Sequence, residues 1–331
     1  TTNERQTKMN TKINSKDIIP IFFTIDDGYA PYLATALVSA IKNSSPDRRY
    51  RAVVLYQDLC EENRRRLGAL ATDNFAVDFI PMCRGLDAIT DRMSNRLRCD
   101  YFTLTIYFRL FIPAMFPEYD RGIYIDSDIV LNSDIAELYD TDIGDALIGA
   151  CADCSVSDVP ELAGYMERAV GVDRHSYVNS GVLLMNLRLL REAELDRHFL
   201  SLLNSYHFDC IAPDQDYLNA MCCGRIHYLD ERWDAMPNDR KPPLDDAKLI
   251  HYNLFSKPWC YDGVQYAELF WKYAQECGYL PEILDCKQGY SDAQRESDAR
   301  CLELLIRRGT EIAEAEVTFR SEYEKGVKIR L

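Results

Sequence analysis

Two carboxylates close a hydrophobic run in Tyr124-Ile125-Asp126-Ser127-Asp128-Ile129. In extended backbone, residues i and i+2 project to one side, so Asp126 and Asp128 can reach a single hard cation. Oxygen ligands suit Mg²⁺ or Mn²⁺, and an added imidazole tilts the choice toward Mn²⁺. His251, at the end of another expected strand, supplies that imidazole. Alone, a D-x-D is short enough to be a loop or a helix cap. Cys151-Ala152-Asp153-Cys154 has the C-x-x-C spacing of a zinc or redox site. Its partner pair, Cys222-Cys223, is vicinal rather than x-x separated, so thiol chemistry is the weaker reading. Others of the 12 cysteines sit singly in apolar-rich segments, as core thiols of a reducing compartment do. One charge interrupts Tyr107-Phe108-Arg109-Leu110-Phe111, and an arginine on a buried face needs a partner.

The elements that must hold these groups read as alternating strands and helices. Ile18 to Thr24 is an apolar, β-branched and aromatic run that empties into Asp26-Asp27-Gly28, a buried strand followed by a loop. Tyr32, Leu33, Ala36, Leu37 and Ala40 repeat at helical spacing until Asn43-Ser44-Ser45-Pro46 stops them. A second strand is expected over Arg51 to Tyr56, then a helix capped at Asp58, with Glu61 as its acidic partner, running through Leu67 and Leu70. Phe75 to Ile80 makes a third strand. This β-α-β-α-β opening predicts a parallel sheet with helices on its faces and ligands beyond the carboxyl ends of its strands. Further on, Thr103 to Phe116 reads as helical; Gly122 to Ile125, Leu147 to Ala150 and Lys248 to Ile250 read as strands, and Val182 to Met185 is an apolar run. Glu192 to Ser205 reads as a helix, and Asp214-Gln215-Asp216 opens another. After about Cys286 the composition turns helical and mixed in charge, with Leu302, Leu305, Ile306 and Ile312 as an apolar face.

Over 331 residues, 38 Lys+Arg against 53 Asp+Glu leave a net charge of −15. That balance argues against a nucleic-acid surface built on bulk charge, while leaving room for a local basic pocket around one phosphate-bearing small molecule. At 47% hydrophobic the chain can build a core. No apolar run approaches the ~20 residues of a membrane-spanning helix, and Thr1 to Lys8, ahead of Met9, resembles no secretory signal. The sequon Asn43-Ser44-Ser45 is weak evidence for secretion. A soluble or at most peripheral protein is expected.

Six segments in a fixed order carry a resemblance. They are Phe23-Thr24-Ile25-Asp26-Asp27-Gly28-Tyr29, Tyr107-Phe108-Arg109-Leu110, Tyr124-Ile125-Asp126-Ser127-Asp128, Asn179-Ser180-Gly181 running to Asn186, Asp214-Gln215-Asp216-Tyr217-Leu218-Asn219, and His251-Tyr252 with Lys257-Pro258-Trp259. Together, over about Ile18 to Trp271, the chain closely resembles glycosyltransferase family 8, retaining enzymes of the GT-A fold that use nucleotide sugars. The resemblance implies an α/β fold, a mixed, mostly parallel nucleotide-binding sheet flanked by helices. Residues 18–275 would form that domain, 276–331 a C-terminal helical extension, and 1–17 a disordered or tag-like tail.

Carried over residue by residue, the resemblance implies that Thr24, Asp26 and Tyr29 bind the uracil end of a UDP-sugar, a carboxylate accepting the base N–H and a ring stacking on its face. Asp126, Asp128 and His251, with Ser127 beside them, would hold the Mn²⁺, or Mg²⁺, that bridges the diphosphate. Lys257 would neutralise phosphate as a point cation. Arg109, Asp153 and Asn179 would line the sugar pocket, and Asp214 and Gln215 would face the anomeric carbon, so the implied catalytic set is Gln215, Asp214 and Asp153. The position of a retaining nucleophile falls on Gln215, an amide and a poor nucleophile, which favours delivery of the acceptor on the departing face. One departure stands out: Leu254 occupies the position, three after the histidine, where the family pattern has a glycine close to phosphate.

The implied activity is Mn²⁺-dependent transfer of glucose or galactose from a UDP-sugar to a glycan, a lipid-linked saccharide or a glycoprotein, in the bacterial cytoplasm or at the inner membrane face. The alternatives are a non-catalytic nucleotide-sugar or glycan-binding protein with a degenerate donor site, and a metal-dependent phosphohydrolase, which leaves Tyr29 and Lys257 unused. The structural readings weighed against these roles, each the lesser one, are Arg109 as an interior ion pair, His251 as a core histidine, Tyr29 and Trp259 as core aromatics, and Asn179-Ser180-Gly181 as a turn. Acceptor contacts are expected from the loops Arg84 to Asp100 and Cys154 to Ser176, which name no acceptor.

Overall fold

Strand residues alternate between two buried layers. In the first strand Ile19, Ile21, Phe23 and Ile25 join one apolar cluster while Phe22 joins the other, the pattern of a strand covered on both faces. The computed structural model describes residues 17–82 and 104–331. The expected N-terminal tail and the Arg84 to Asp100 loop lie outside the described residues.

In chain order the described strands are β1 (Ile18–Ile25), β2 (Arg49–Tyr56), β3 (Phe75–Pro81), β4 (Gly122–Ile125), β5 (Ile129–Leu131), β6 (Ile148–Ala150), β7 (Val182–Met185), β8 (Ile226–Tyr228) and β9 (Leu249–His251). Seven of them form one sheet in the order β3-β2-β1-β4-β7-β6-β8. Neighbours run parallel from β3 to β4 and from β6 to β8, and β7 is antiparallel to both of its neighbours. This is the mixed, mostly parallel sheet expected. The remaining two strands, β5 and β9, pair antiparallel as a small second sheet.

Helix Ala30–Asn43 lays Leu33, Ala36, Leu37 and Ala40 on one face of the large sheet, alongside Phe270, Tyr273 and Ile283 from the later helices Ala267–Ala274 and Leu280–Gly289. Helices Leu195–Tyr206 and Pro213–Cys222 cover the other face, where Phe199 and Tyr217 meet edge to face at 4.9 Å. Each such fully buried aromatic or leucine contributes about 1.5–3 kcal/mol. Helix Asp292–Ile312 starts in a capping box between Ser291 and Gln294 and sends Leu305 and Ile312 into this second layer. Among the described residues no helix is long and apolar enough to cross a membrane.

Several local expectations are corrected. The second helix, Glu61–Gly68, is capped by Cys60, whose sulfur accepts from Asn63 N, and not by Asp58; it ends before Leu70. The helical reading over Thr103 to Phe116 divides into a 3₁₀ segment, Leu104–Leu110, and a short α-helix, Ile112–Met115. Pro113 explains the break, since proline fits a first helical turn but not an interior one. The run Glu192 to Ser205 likewise divides between Leu187–Glu192 and Leu195–Tyr206, with Glu194 left-handed at φ 52°. Leu302 is exposed, so the apolar face of the long C-terminal helix is narrower than its periodicity suggests.

Candidate active site

The site grows from the carboxyl ends of β1 and β4. Asp126-Ser127-Asp128 spans the gap between β4 and β5, and Asp126 N donates to Gly181 O at 2.8 Å, which fixes it against the start of β7. Pairing of β5 with β9 sets Ile129 opposite His251, and Tyr252 N donates to Asp128 O at 2.9 Å. A slip of one residue in this ladder would turn the imidazole to the opposite face. As built, His251 Nε2 lies 3.4 Å from Asp128 Oδ1 and 3.8 Å from Asp126 Oδ2. Ligand atoms of Asp126, Asp128 and His251 all lie within 4.8 Å of one another, the one such cluster found among the described residues.

Asp234, buried and missed by sequence reasoning, receives His251 Nδ1 at 2.9 Å. A carboxylate behind a histidine fixes the ring and aims its other nitrogen at a metal. In sequence, Glu231-Arg232-Trp233-Asp234 looks like a polar turn, and only its pairing beside β9 reveals the role of the last residue. Burial opposes charge on His251, but Asp234 and Asp128 outweigh it and lift the imidazole pKa to about 10. Burial alone would raise Asp128; Lys257 and His251 instead hold its carboxyl well below the usual range. The Lys257 ammonium sits on Asp128 and on the Tyr252 carbonyl.

These residues fit a divalent cation. Two carboxylates and an imidazole are the donor set of Mn²⁺ or Mg²⁺, and three protein ligands leave coordination positions for phosphate oxygens and water. Gly181 makes the cradle: a Cβ there would come within 2.3 Å of His251 Cε1 and 2.7 Å of Asp126 Oδ2. Only glycine fits against these ligands, which gives Asn179-Ser180-Gly181 more content than a turn.

Beside this cluster, Arg109 is 5% exposed and finds the partners its burial requires. It donates to Asp126 Oδ1 at 2.9 Å and to Ser180 O at 2.6 Å, and pairs with Asp214 Oδ2 at 3.2 Å. Tyr124 also donates to Asp126 Oδ1, at 2.6 Å, so this oxygen is committed to the protein and Oδ2 is the one facing His251. Gln215 is equally committed: Oε1 accepts from Ser180 N at 3.0 Å, and Nε2 donates to Asp153 Oδ2 at 2.8 Å. Asn179 Nδ2 donates to the same Asp153 oxygen at 3.0 Å.

One cavity of about 690 Å³ joins these groups. Thr24, Asp26, Tyr29, Arg109, Asp126, Ser127, Asp128, Asn179, Asp214, Gln215, His251 and Lys257 all lie on its wall. Asp153, 1% exposed, caps the helix Cys154–Ser157 and accepts from the side-chain amides of Asn179 and Gln215, both on that wall. At the other end Asp26 accepts from Tyr29 N at 3.2 Å, and burial pushes its carboxyl pKa up. Tyr29 meets Tyr32 edge-on at 5.4 Å, and Tyr32 stacks on Trp259 at 4.1 Å. Leu254 lies on the wall with φ 49°, the left-handed backbone that glycine adopts without strain. Asp285, Cys286, Tyr290, Gln294, Ser297 and Asp298 from the C-terminal helices also border the cavity. Sequence reasoning gave these no site role, since helical periodicity does not say where a helix docks. Cys151 Sγ meets Asp230 O at 3.3 Å, burial pushes its thiol well up, and none of the ten described cysteines forms a disulfide.

The sequence model of Glycosyl transferase family 8 matches residues 20–263. A Haemophilus influenzae protein named as a candidate glycosyltransferase is 31% identical over 221 residues, 66% of this chain and 64% of its own length. This chain therefore spans under two thirds of that relative. The lipopolysaccharide 1,2-glucosyltransferase of Escherichia coli K12 is 23% identical, with 78% of each chain covered. Among solved structures, galactosyltransferase LgtC in complex with donor and acceptor sugar analogues superposes with a TM-score of 0.67 at 27% identity, over 78% of this chain and 96% of that one.

Proposed function

Because the chain belongs to glycosyltransferase family 8, we propose that it transfers a hexose, glucose or galactose, from a UDP-sugar to a carbohydrate acceptor on a glycan, lipid or protein, with retention at the anomeric carbon. The observation that carries this reading is the meeting of Asp126, Asp128 and His251 in the same cavity as Asp26 and Tyr29 at one end and Asp214 and Gln215 at the other. Glucosyl- and galactosyltransferases among its relatives support the class of donor. Bacterial relatives favour the bacterial cytoplasm, with at most peripheral contact at the inner membrane face.

Asp126, Asp128 and His251 would hold Mn²⁺, with Mg²⁺ as the alternative, and the cation supplies positive charge where the departing diphosphate becomes negative. Lys257 adds a second positive charge beside it. Asp26 accepts from the uracil N–H and Tyr29 covers the base. Arg109, locked to Asp126 and Asp214, keeps the carboxylates under the sugar in one geometry. As the bond from the anomeric carbon to phosphate breaks, its electron pair stays on the UDP oxygen; the acceptor oxygen bonds to that carbon on the same face, and its proton passes to UDP. Gln215, its amide fixed by Ser180 and Asp153, steadies the electron-poor ring carbon and makes no bond to it.

A UDP-release screen over UDP-sugars with Mn²⁺, followed by an acceptor array, tests the assignment. Turnover of UDP-glucose or UDP-galactose is expected; turnover confined to other nucleotide sugars would replace the hexose assignment. The second reading, a binding protein with a degenerate donor site, draws on Leu254, a side chain where the pattern has glycine. UDP binding without turnover of any donor would favour it.

A further inference from the structure

The family match ends at residue 263, yet later helices border the cavity and also hold one turn beside Lys257. That turn follows Lys257: Cys260 N and Tyr261 N both donate to Lys257 O, each at 2.9 Å. At its start the Lys257 side chain reaches Asp128 and the Tyr252 carbonyl. Its far side is held from helix Leu280–Gly289, where Lys287 Nζ donates to the carbonyls of Pro258 and Tyr261, each at 2.9 Å. From helix Asp292–Ile312, buried Asp298 accepts from the hydroxyl of Tyr261, and from that of Tyr290 at 2.6 Å. The middle of the turn carries Trp259, stacked on Tyr32.

A lysine is a point charge on a flexible stem, so it aids a charge-separating step only when its backbone is fixed relative to the reacting groups. The ion pair of Lys287 with Asp262 contributes little, because Asp262 is 89% exposed. Its two carbonyl contacts are different: they join Pro258 O to Tyr261 O through one ammonium and tie the turn to the helix Leu280–Gly289, which the turn's own bonds to Lys257 O do not do. We infer that Lys287 is a positioning residue for the donor diphosphate, tying the turn after Lys257 to the C-terminal helices so that the Lys257 ammonium is held at the phosphate end of the cavity. This rests on the UDP-sugar reading, and it gives the C-terminal helices a part in donor binding.

Calorimetry on the full chain, at saturating Mn²⁺, with UDP and with uridine tests it. Uridine keeps the base contacts and lacks the diphosphate. Lys287→Gln should weaken UDP about tenfold, the scale of one charge-assisted contact misplaced, and leave uridine unchanged. Lys287→Arg keeps the charge and the donors and should restore most of the UDP affinity. Arg66→Gln is the control: Arg66 anchors the same helix through Glu282 at 2.7 Å and stacks on Tyr279, but touches nothing in the turn, so its UDP-to-uridine ratio should stay at the wild-type value. An unchanged ratio in Lys287→Gln, or an equal fall in Arg66→Gln, overturns the inference. Wild-type protein that binds UDP no better than uridine overturns the UDP-sugar reading, and this inference with it.

Discussion

At the scale of single residues, the cluster of Asp126, Asp128 and His251 depends on groups of unequal legibility. Asp126 and Asp128 were readable because a strand end fixes their spacing, and His251 because it heads a recognisable motif. Asp234 was not: its carboxylate matters only through the 2.9 Å contact with His251 Nδ1, a pairing across 17 residues that no local pattern announces. Replacing it with alanine leaves the imidazole unaligned, and Asp234→Ala should weaken Mn²⁺ binding by about 10–100-fold by calorimetry. The same titration on metal-stripped wild type has a proton signature. With its pKa raised to about 10, His251 is protonated at pH 7, and a metal at Nε2 must displace that proton. About one proton should therefore be released per ion in buffers of differing ionisation heat, and apparent affinity should rise with pH below about 10. Release of no proton at pH 7 would mean that Asp234 and Asp128 do not hold the metal-free imidazole protonated.

At the scale of elements, the large sheet was legible and the small one was not. β1, β2 and β3 are long apolar runs with helices between them, whereas β5 is three residues directly behind Asp126-Ser127-Asp128 and reads as loop. Its partner β9 was placed as a strand, but which strand it joined is tertiary information. The helix Pro213–Cys222 shows another such dependence. Asp216, in its first turn, accepts from Tyr165 and Tyr177, each at 2.6 Å, and from Ala212 N at 3.0 Å. One buried carboxylate thus ties Tyr165, inside the stretch Cys154 to Ser176 expected to meet the acceptor, and Tyr177 just after it to the helix that carries Asp214 and Gln215. Asp216→Ala strands these donors in the core and should lower stability by about 3–5 kcal/mol in urea denaturation. A loss below ~1 kcal/mol would mean that water or a neighbour satisfies them equally well.

At the scale of the molecule, the C-terminal helices do more than extend the fold. Tyr279 and Ile283 enter the core layer under Ala30–Asn43, while Leu305, Ile312 and Phe319 enter the other layer, so both faces of the sheet depend on residues beyond the family match. The charge of −15 says little about the chemistry of the proposed site. What matters locally is that Asp126, Asp128 and Asp234 meet Arg109, His251 and Lys257 within one polar cluster. The most direct test of the central claim is UDP release from UDP-glucose and UDP-galactose by wild type and Asp128→Ala, each with and without Mn²⁺. Release by wild type should require the metal and should collapse in the variant, whereas metal-independent release retained by Asp128→Ala would contradict the placement of the reaction at this cluster.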